Sequence, residues 1–126
     1  MKNVLIVEDS KAIRSVMRVA LEEAGDFFAV EVTNGFEALK TLPSRQFDLI
    51  ITDINMPDIN GLELIGFVKS NPTYQSIPLI IVTTEKTEED KKRGMALGAA
   101  AYIVKPFKKE EFVGIVKQTL EESGGR

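Results

Sequence analysis

The fold is decided by the stretch FDLIITD at residues 47–53, an apolar run that ends on the carboxylate of Asp53. A continuous apolar run of this length predicts a strand that is buried on both faces, as in a parallel sheet. A carboxylate at the end of such a strand is costly to bury unless it has a partner or a function. We therefore expect Asp53 to end a central strand and to have a chemical role there.

Five strand-like runs alternate with five helix-like segments along the chain. The strand-like runs lie near residues 3–8, 27–32, 47–53, 78–83 and 101–105. The helix-like segments lie near residues 10–24, 35–42, 61–70, 87–98 and 108–121. This alternation predicts an α/β fold, a doubly wound five-stranded parallel sheet with helices on both faces.

The apolar content of each run predicts its place in the sheet. Residues 4–7, 49–51 and 79–82 are continuously apolar, which is typical of central strands. Residues 28–32 partly alternate, which is typical of an edge strand. In open sheets of this kind, ligands lie beyond the carboxyl ends of the strands, at the switch point of the strand order.

The composition is that of an ordinary globular domain. The chain of 126 residues is large enough for one core, and we expect one domain over residues 1–122 with a flexible tail at 123–126. Its apolar runs are far shorter than the ~20 residues of a membrane helix, so no membrane insertion is expected. A net charge of −3 without a basic stripe argues against direct nucleic-acid binding. The absence of cysteine excludes disulfides and thiolate metal sites, and with no leader pattern it favours the cytoplasm.

Polar side chains follow or end four of the predicted strands. They are Glu8, Asp9, Asp53, Thr83 and Lys105. Because the carboxyl ends of parallel strands meet at one edge of a sheet, we expect these side chains to lie close together. The sequence therefore predicts a site that combines several acids with one lysine.

Oxygen ligands of this kind suit a hard divalent cation such as Mg²⁺, which commonly binds one or two carboxylates and keeps several waters. Asp9 and Asp53 can supply the carboxylates, and Glu8 can support them. The backbone carbonyl of Asn55 is well placed to join them where the chain turns. Neighbouring acids raise one another's pKa unless a cation offsets them, and Lys105 supplies one such charge.

The same residues suit phosphoryl transfer. That reaction needs a nucleophilic oxygen, a metal and donors that neutralise the charge on the transferred group. Asp53 can be the nucleophile and form an aspartyl phosphate. Lys105 and the hydroxyl of Thr83 can each contact a phosphoryl oxygen.

Each residue taken alone also has a purely structural interpretation. Asp9 or Ser10 can be a helix N-cap, and Asp53 can begin a turn. Lys105 can be a solvated strand end, Thr83 a β-branched strand residue and Tyr102 a core residue. Their coincidence at the strand ends of one sheet favours the functional interpretation.

With these residues in place, the chain resembles the receiver domain of two-component response regulators, most closely the single-domain chemotaxis type, CheY. The resemblance covers about residues 3–121 and depends on the order and spacing of four motifs. The motifs are Val7-Glu8-Asp9-Ser10, Asp53-Ile54-Asn55-Met56-Pro57 with Asn60-Gly61 after it, Val82-Thr83-Thr84 and Lys105-Pro106-Phe107. The fold that this implies is CheY-like, or flavodoxin-like, with strand order 2-1-3-4-5.

The resemblance implies that Asp53 is the phosphoacceptor and takes its phosphoryl group from a sensor histidine kinase. Mg²⁺ would be bound by Asp9, Asp53 and the backbone carbonyl of Asn55, with Glu8 assisting. Lys105 would contact the phosphoryl group, and the Lys105–Pro106 peptide would be cis.

The resemblance also implies a conformational switch. Thr83 would move toward the phosphate, and Tyr102 would turn inward into the space that Thr83 leaves. This change would reshape the surface of the fourth helix, fifth strand and fifth helix, where a downstream target such as the flagellar motor switch would bind. The protein would be a monomer or a weak dimer.

Four positions concern how closely the chain follows the family. Glu8 stands where aspartate is common, and the longer side chain should still support a metal. Thr84 stands where a smaller residue is frequent, which would restrict access to Asp53. Asn55 and Glu85 match the rapidly self-dephosphorylating chemotaxis proteins, so we expect a phosphorylated lifetime nearer seconds than hours.

Two other functions are consistent with parts of the sequence. A Mg²⁺-dependent phosphatase of the haloacid-dehalogenase type also uses an aspartate, a threonine and a lysine at strand ends. Such enzymes need a second acid two residues after the nucleophile, and Asn55 cannot be a general acid or base. The other alternative is the receiver part of a larger transcriptional regulator.

Overall fold

A computed structural model of the protein describes residues 1–56 and 59–124. Its five parallel strands form one sheet in the order β2-β1-β3-β4-β5, which confirms the predicted topology. The strands are β1 (Lys2–Val7), β2 (Phe27–Val32), β3 (Leu49–Thr52), β4 (Leu79–Thr83) and β5 (Ala101–Val104). The helices are α1 (Lys11–Ala24), α2 (Gly35–Thr41), α3 (Gly61–Ser70), α4 (Glu88–Ala96) and α5 (Lys109–Gly124).

The predicted central strands lie in the middle of the sheet, and the predicted edge strand lies at its edge. All residues of β3 and β4 are buried, as are the last four residues of β1. Strand β2 pairs only with β1 and leaves Phe28 and Glu31 exposed. Burial on both faces explains the unbroken apolar runs of the central strands.

The helices cover the two faces of the sheet with separate cores. Helices α1 and α5 cover one face, where Met17, Leu21 and Phe112 are fully buried or nearly so. Helices α2, α3 and α4 cover the other face, where Leu64 and Ile65 lie in the core. Helices on both faces require the two halves of the chain to wind in opposite directions from β1 and β3, and this places the switch point between those two strands.

Polar side chains cap the starts of several helices. The side chain of Asn34 accepts a hydrogen bond from the Glu37 N–H, and Asn60 and Glu63 form a complete capping box at the start of α3. Ser10 caps α1 through the Ile13 N–H, so Ser10 rather than Asp9 is the N-cap residue.

The last helix, α5, extends to the end of the described part of the chain. Helix α5 continues through Ser123 and Gly124, two residues beyond the predicted domain boundary. Gly125 and Arg126, the rest of the predicted tail, lie outside the described residues, as does Pro57 of the third-strand motif. Within the described ranges, no helix is both long and apolar enough to cross a bilayer.

Gly61 allows the first turn of α3 to lie directly against the backbone that carries Asp53. A methyl group at this position would overlap the carbonyl of Asp53 and lie 2.8 Å from the Cα atom of Ile54. The Gly61 N–H donates a hydrogen bond of 3.0 Å to the Ile54 carbonyl. The start of α3 therefore holds the strand end that carries Asp53.

We expect Gly61→Ala to lower the free energy of unfolding by about 3 kcal/mol, because the new methyl group meets backbone atoms that cannot turn away. Gly66→Ala, in the same helix, is the matched control because an added Cβ there has no neighbour within 4 Å. The control should stabilise the helix by up to about 1 kcal/mol. Urea unfolding followed by circular dichroism measures both, and equal stabilities would contradict the close approach of α3.

Candidate functional site

The hydrogen-bond ladders of the parallel sheet continue one residue beyond the strands. They bring Glu8, Asp53 and Lys105 to one edge of the sheet. The Asp53 N–H donates to the Val7 carbonyl at 3.2 Å, and the Lys105 N–H donates to the Thr83 carbonyl at 2.8 Å. The Glu8 N–H continues the ladder on the other side of β1. The backbone positions of Glu8, Asp53 and Lys105 are therefore set by hydrogen bonds of the sheet itself.

Lys105 is the centre of the site. Its ammonium nitrogen lies 2.7 Å from Oε1 of Glu8 and 2.8 Å from Oδ2 of Asp53. The side chains of all three residues are at most 10% exposed. Ion pairs shielded from water to this degree are much stronger than surface pairs, because the local dielectric constant is lower. The Lys105–Pro106 peptide is cis, as the resemblance implies.

Burial and pairing act in opposite directions on the charges of this cluster. Burial raises the pKa of the Glu8 carboxyl, and hydrogen bonds from Lys105 and from the Ser10 N–H offset this only in part. Burial alone would lower the pKa of Lys105, but its hydrogen bonds to Asp53 and Glu8 outweigh burial and raise that pKa. Lys105 therefore stays charged at neutral pH and holds the two acids together.

The carboxylate of Asp53 has a partner at each oxygen. Oδ2 accepts from Lys105, and Oδ1 accepts from the backbone N–H of Asn55 at 3.1 Å. The residue is 6% exposed. The Lys105 ammonium and the Asn55 N–H are therefore both directed at the Asp53 carboxylate. Such groups can stabilise negative charge on a group that becomes attached to that carboxylate.

Asp9 lies in the loop between β1 and α1 and is exposed to solvent. The loop is compact, because the Ser10 N–H donates to Oε2 of Glu8 at 3.0 Å and the Glu8 N–H donates to the Val32 carbonyl at 3.1 Å. Glu8 points into the sheet edge and is 1% exposed. The two neighbouring acids therefore differ in setting, one buried and paired and the other open to water.

Glu85 connects the predicted lifetime residues with the predicted switch residues. Its carboxylate accepts a hydrogen bond of 2.6 Å from the side-chain amide of Asn55, and its carbonyl accepts one of 2.7 Å from the hydroxyl of Tyr102. Its N–H donates to the hydroxyl oxygen of Thr83 at 3.3 Å. Thr83 is fully buried, Tyr102 is half-buried and Thr84 is exposed.

The structure brings most of the predicted site residues together, but it does not form a closed metal cage. Over residues 1–56 and 59–124, no three acidic side chains lie close enough together to ligate one ion. The reason is that the Lys105 ammonium lies between Glu8 and Asp53 and pairs with both. Mg²⁺ commonly needs only one or two carboxylates and keeps several waters, so an exposed Asp9 together with the carboxylate of Asp53 is a donor set that suits such an ion.

The comparison with known proteins assigns the family. Residues 4–117 match the response regulator receiver domain. The chain belongs to this family. It is a receiver of two-component signalling, a switch controlled by phosphorylation. The haloacid-dehalogenase phosphatases, which the sequence left open as an alternative, are a different family from the receiver domains that this chain matches.

Two curated relatives differ in how much of their own length this chain covers. The chain is 37% identical over 123 residues to the phosphate regulon transcriptional regulatory protein PhoB of Pseudomonas aeruginosa, covering 98% of this chain and 53% of PhoB. It is 34% identical over 119 residues to a chemotaxis protein CheY homologue of Campylobacter jejuni, covering 94% of this chain and 88% of the homologue. The chain thus spans about half of the first relative and most of the second.

Three solved structures share the fold. The chemotaxis protein CheY4 of Vibrio cholerae is 35% identical with a TM-score of 0.88, covering 94% of this chain and 98% of CheY4. The Mn²⁺-bound response regulator Rcp1 is 26% identical with a TM-score of 0.81, covering 94% and 91%. The phosphorylated cyanobacterial phytochrome response regulator RcpA is 31% identical with a TM-score of 0.80, covering 93% and 89%.

Sequence reasoning missed two residues that contact the site. Gly61 was noted only as part of a motif, whereas it lies directly against the carbonyl of Asp53. Arg14 was not singled out, although Nη1 of its guanidinium donates to the carbonyls of Glu8 and Asp9. A signal for Arg14 was available, because a cation near the start of a helix is unfavourable to the helix dipole unless another contact compensates.

Replacing Lys105 with methionine should lower the free energy of unfolding by about 3 kcal/mol, because two buried carboxylates lose their shared cation. Lys109→Met is the control, since Lys109 pairs with Glu23 at the surface and both side chains are more than half exposed. We expect little change for the control. Denaturant unfolding at neutral pH measures both, and an unchanged Lys105→Met stability would show that the buried pairs contribute nothing.

The ionisation of Tyr102 should report the charge at Asp53. Burial, and then the charges of Asp90, Glu85 and Asp53, raise the Tyr102 pKa above its ordinary value of about 10. Because the Tyr102 pKa is higher in the folded state than in the unfolded chain, the protonated phenol of Tyr102 contributes to the stability of the fold. This contribution is complete below the unfolded-state pKa and is lost as the pH rises through the folded-state pKa.

The measurement is the absorbance change on phenolate formation, taken as the difference between the wild type and Tyr102→Phe. The midpoint should lie above the midpoint of the urea-unfolded chain and should fall in Asp53→Asn, which removes one of the charges. An Asp53→Asn midpoint equal to that of the wild type would refute the coupling between the two residues.

Proposed function

We propose that the protein is a switch of two-component signalling in which Asp53 accepts a phosphoryl group from the phosphohistidine of a sensor histidine kinase. The observation that carries this proposal is the buried contact of 2.8 Å between the Lys105 ammonium and the Asp53 carboxylate at the carboxyl edge of the sheet. Burying a carboxylate costs free energy, and a cost of this kind favours a functional role for the residue. The edge between β1 and β3 is also where doubly wound sheets bind their ligands.

In the transfer, an oxygen of Asp53 forms a bond to phosphorus as the bond between phosphorus and the histidine nitrogen breaks. When the second ring nitrogen of the phosphohistidine carries a proton, the histidine leaves as a neutral imidazole, and Asp53 need not gain or lose a proton. Lys105 moves from pairing with two carboxylates to pairing with the phosphoryl oxygens. The Asn55 N–H, already 3.1 Å from Oδ1 of Asp53, is a second donor. The Thr83 hydroxyl is a third, once its side chain turns toward the phosphate.

The proposed metal ligands are the carboxylates of Asp9 and Asp53 and the backbone carbonyl of Asn55, with Glu8 assisting. Mg²⁺, when bound, would neutralise charge on the phosphoryl oxygens and on the cluster of acids. The exposed Asp9 supports this assignment because its oxygens are open to an ion and its waters. The Mn²⁺ bound by the related regulator Rcp1 adds support for a divalent cation.

The output surface that we propose consists of α4, β5 and α5. It carries exposed apolar side chains on adjacent elements, among them Met95 and Leu97 around α4 and Val104 on β5. Tyr102 lies on the same strand and is tied to Glu85, which follows β4. A change at Thr83 that moves Glu85 would therefore reach this surface through a hydrogen bond that already exists.

The target at this surface is proposed to be a protein of the chemotaxis type, such as the flagellar motor switch, and the protein to act in the cytoplasm as a monomer or weak dimer. Homology to the CheY homologue over 88% of its length supports this pathway. The receiver part of a larger transcriptional regulator is the second candidate, because the chain matches PhoB over only 53% of that protein.

The protein is proposed to promote its own phosphorylation and dephosphorylation without turning over an external substrate. Asn55 and Glu85 would set the lifetime of the aspartyl phosphate near seconds. Their mutual hydrogen bond of 2.6 Å places both side chains beside the Asp53 loop, where they can restrict the approach of water.

The test is incubation with Mg²⁺ and phosphoramidate, followed by intact mass measurement. The wild type should gain the mass of one phosphoryl group, and Asp53→Asn should gain none because its amide is not a nucleophile. Removal of the metal with a chelator should slow the gain by about tenfold or more, since charge neutralisation by the ion is lost.

Asp48→Asn is the matched control for this experiment. Asp48 also lies at an end of β3, but its carboxylate accepts a hydrogen bond from the Asn3 N–H at the opposite edge of the sheet. It should be modified at the wild-type rate. Modification of Asp53→Asn, or no mass gain in the wild type, would refute the assignment of Asp53.

A further inference from the structure

Arg14 reaches from α1 to the loop that carries the two neighbouring acids. Its Nη1 atom lies 2.8 Å from the carbonyl oxygen of Glu8 and 3.3 Å from that of Asp9. The side chain is only 13% exposed although it is a guanidinium. A cation that is buried in this way and donates to two consecutive carbonyls constrains the peptide planes on both sides of Asp9.

Three other polar groups of the loop have partners of their own. The Glu8 N–H donates to the Val32 carbonyl, and the Ser10 N–H donates to the Glu8 carboxylate. The Ser10 hydroxyl caps α1. Arg14 supplies the donor to the two carbonyls that follow β1, which would otherwise need another partner.

A second strand holds Arg14 in place. Its Nε atom pairs at 3.4 Å with Oε1 of Glu31 on β2. The other oxygen of Glu31 pairs at 2.9 Å with Nε of Arg18, one turn further along α1. Arg14 and Arg18 thus share one anchor and one helix, but only Arg14 donates to the loop.

The charge of Arg14 works against the role that we propose for the loop. A positive charge near a cation site repels the cation, and a cation in the first turns of α1 opposes the helix dipole. If Arg14 acted only through its charge, its removal would strengthen the binding of a divalent ion. If it acts by orienting the loop, its removal would weaken that binding. The two effects have opposite signs, so an experiment separates them.

We propose that Arg14 is a positioning residue for the metal site, fixing the carbonyls of Glu8 and Asp9 so that their carboxylates face the ion. This inference rests on the proposed function, because it assumes that the acid loop binds a divalent cation. Partners that orient metal ligands contribute to affinity although they do not touch the metal.

The experiment is a calorimetric titration of the unphosphorylated protein with Mg²⁺, for the wild type and for Arg14→Gln, Arg14→Lys and Arg18→Gln. Arg14→Gln should bind Mg²⁺ about tenfold more weakly, at the lower end of the effect of losing an orienting partner. Arg18→Gln, which loses the same charge from the same ion-pair network, should bind as tightly as the wild type or more tightly. Arg14→Lys keeps the charge but not the forked donor, and should lie between the wild type and Arg14→Gln.

Equal affinities for Arg14→Gln and Arg18→Gln would overturn the inference while leaving the proposed function intact. A wild type that does not bind Mg²⁺ would overturn both. Denaturant unfolding of each variant establishes that it is folded during the titration. If Arg14→Gln does not fold, Arg14→Lys takes its place, because it keeps the positive charge and loses the forked donor. It should then bind Mg²⁺ more weakly than the wild type, and equal binding would overturn the inference.

Discussion

The site depends on one buried cation, the ammonium of Lys105, which lies within 2.8 Å of two carboxylates that are almost completely shielded from water. Without it, Glu8 and Asp53 would be two buried acids with no cation between them at the end of a hydrophobic sheet. With it, each acid has a cationic partner beside the switch point of the strand order. The same pairing gives a reason why no three acids form a metal cage among the described residues, because the lysine occupies the position of a counter-ion.

The sheet supplies the rigidity that this pairing needs. The Asp53, Lys105 and Glu8 N–H groups each extend a parallel ladder by one bond, so the cluster is built on strand ends rather than on free loops. Two exposed neighbours, Asp9 and Asn55, lie in the loops that follow. A carboxylate held by the sheet beside exposed neighbours suits a site in which a phosphoryl group must be accepted and its arrival transmitted. Glu85 provides the connection, because it contacts Asn55, Thr83 and Tyr102.

Much of the fold could be predicted because local signals agreed with the hydrophobic pattern. Ser10, one of the two candidate caps, starts α1, and the unbroken apolar runs lie in the central strands. The site was harder to predict. The position of Arg14 near a helix start indicates that it needs a partner, but which carbonyls it contacts depends on the angle between α1 and β1. The contact of Gly61 with Asp53 likewise depends on how α3 packs against the end of β3.

The sequence by itself determined the order of the elements, the central and edge strands and which residues end the strands, because each follows from periodicity and from residue type over a few positions. Its motif order also identified the receiver family. Only the tertiary structure decided which of these residues touch. Lys105 is 97 positions from Glu8 and 52 positions from Asp53 in the chain. These three side chains come within hydrogen-bonding distance only when the parallel strands pair. Contacts between side chains so far apart in the chain depend on the packing of the whole sheet, which no local pattern records.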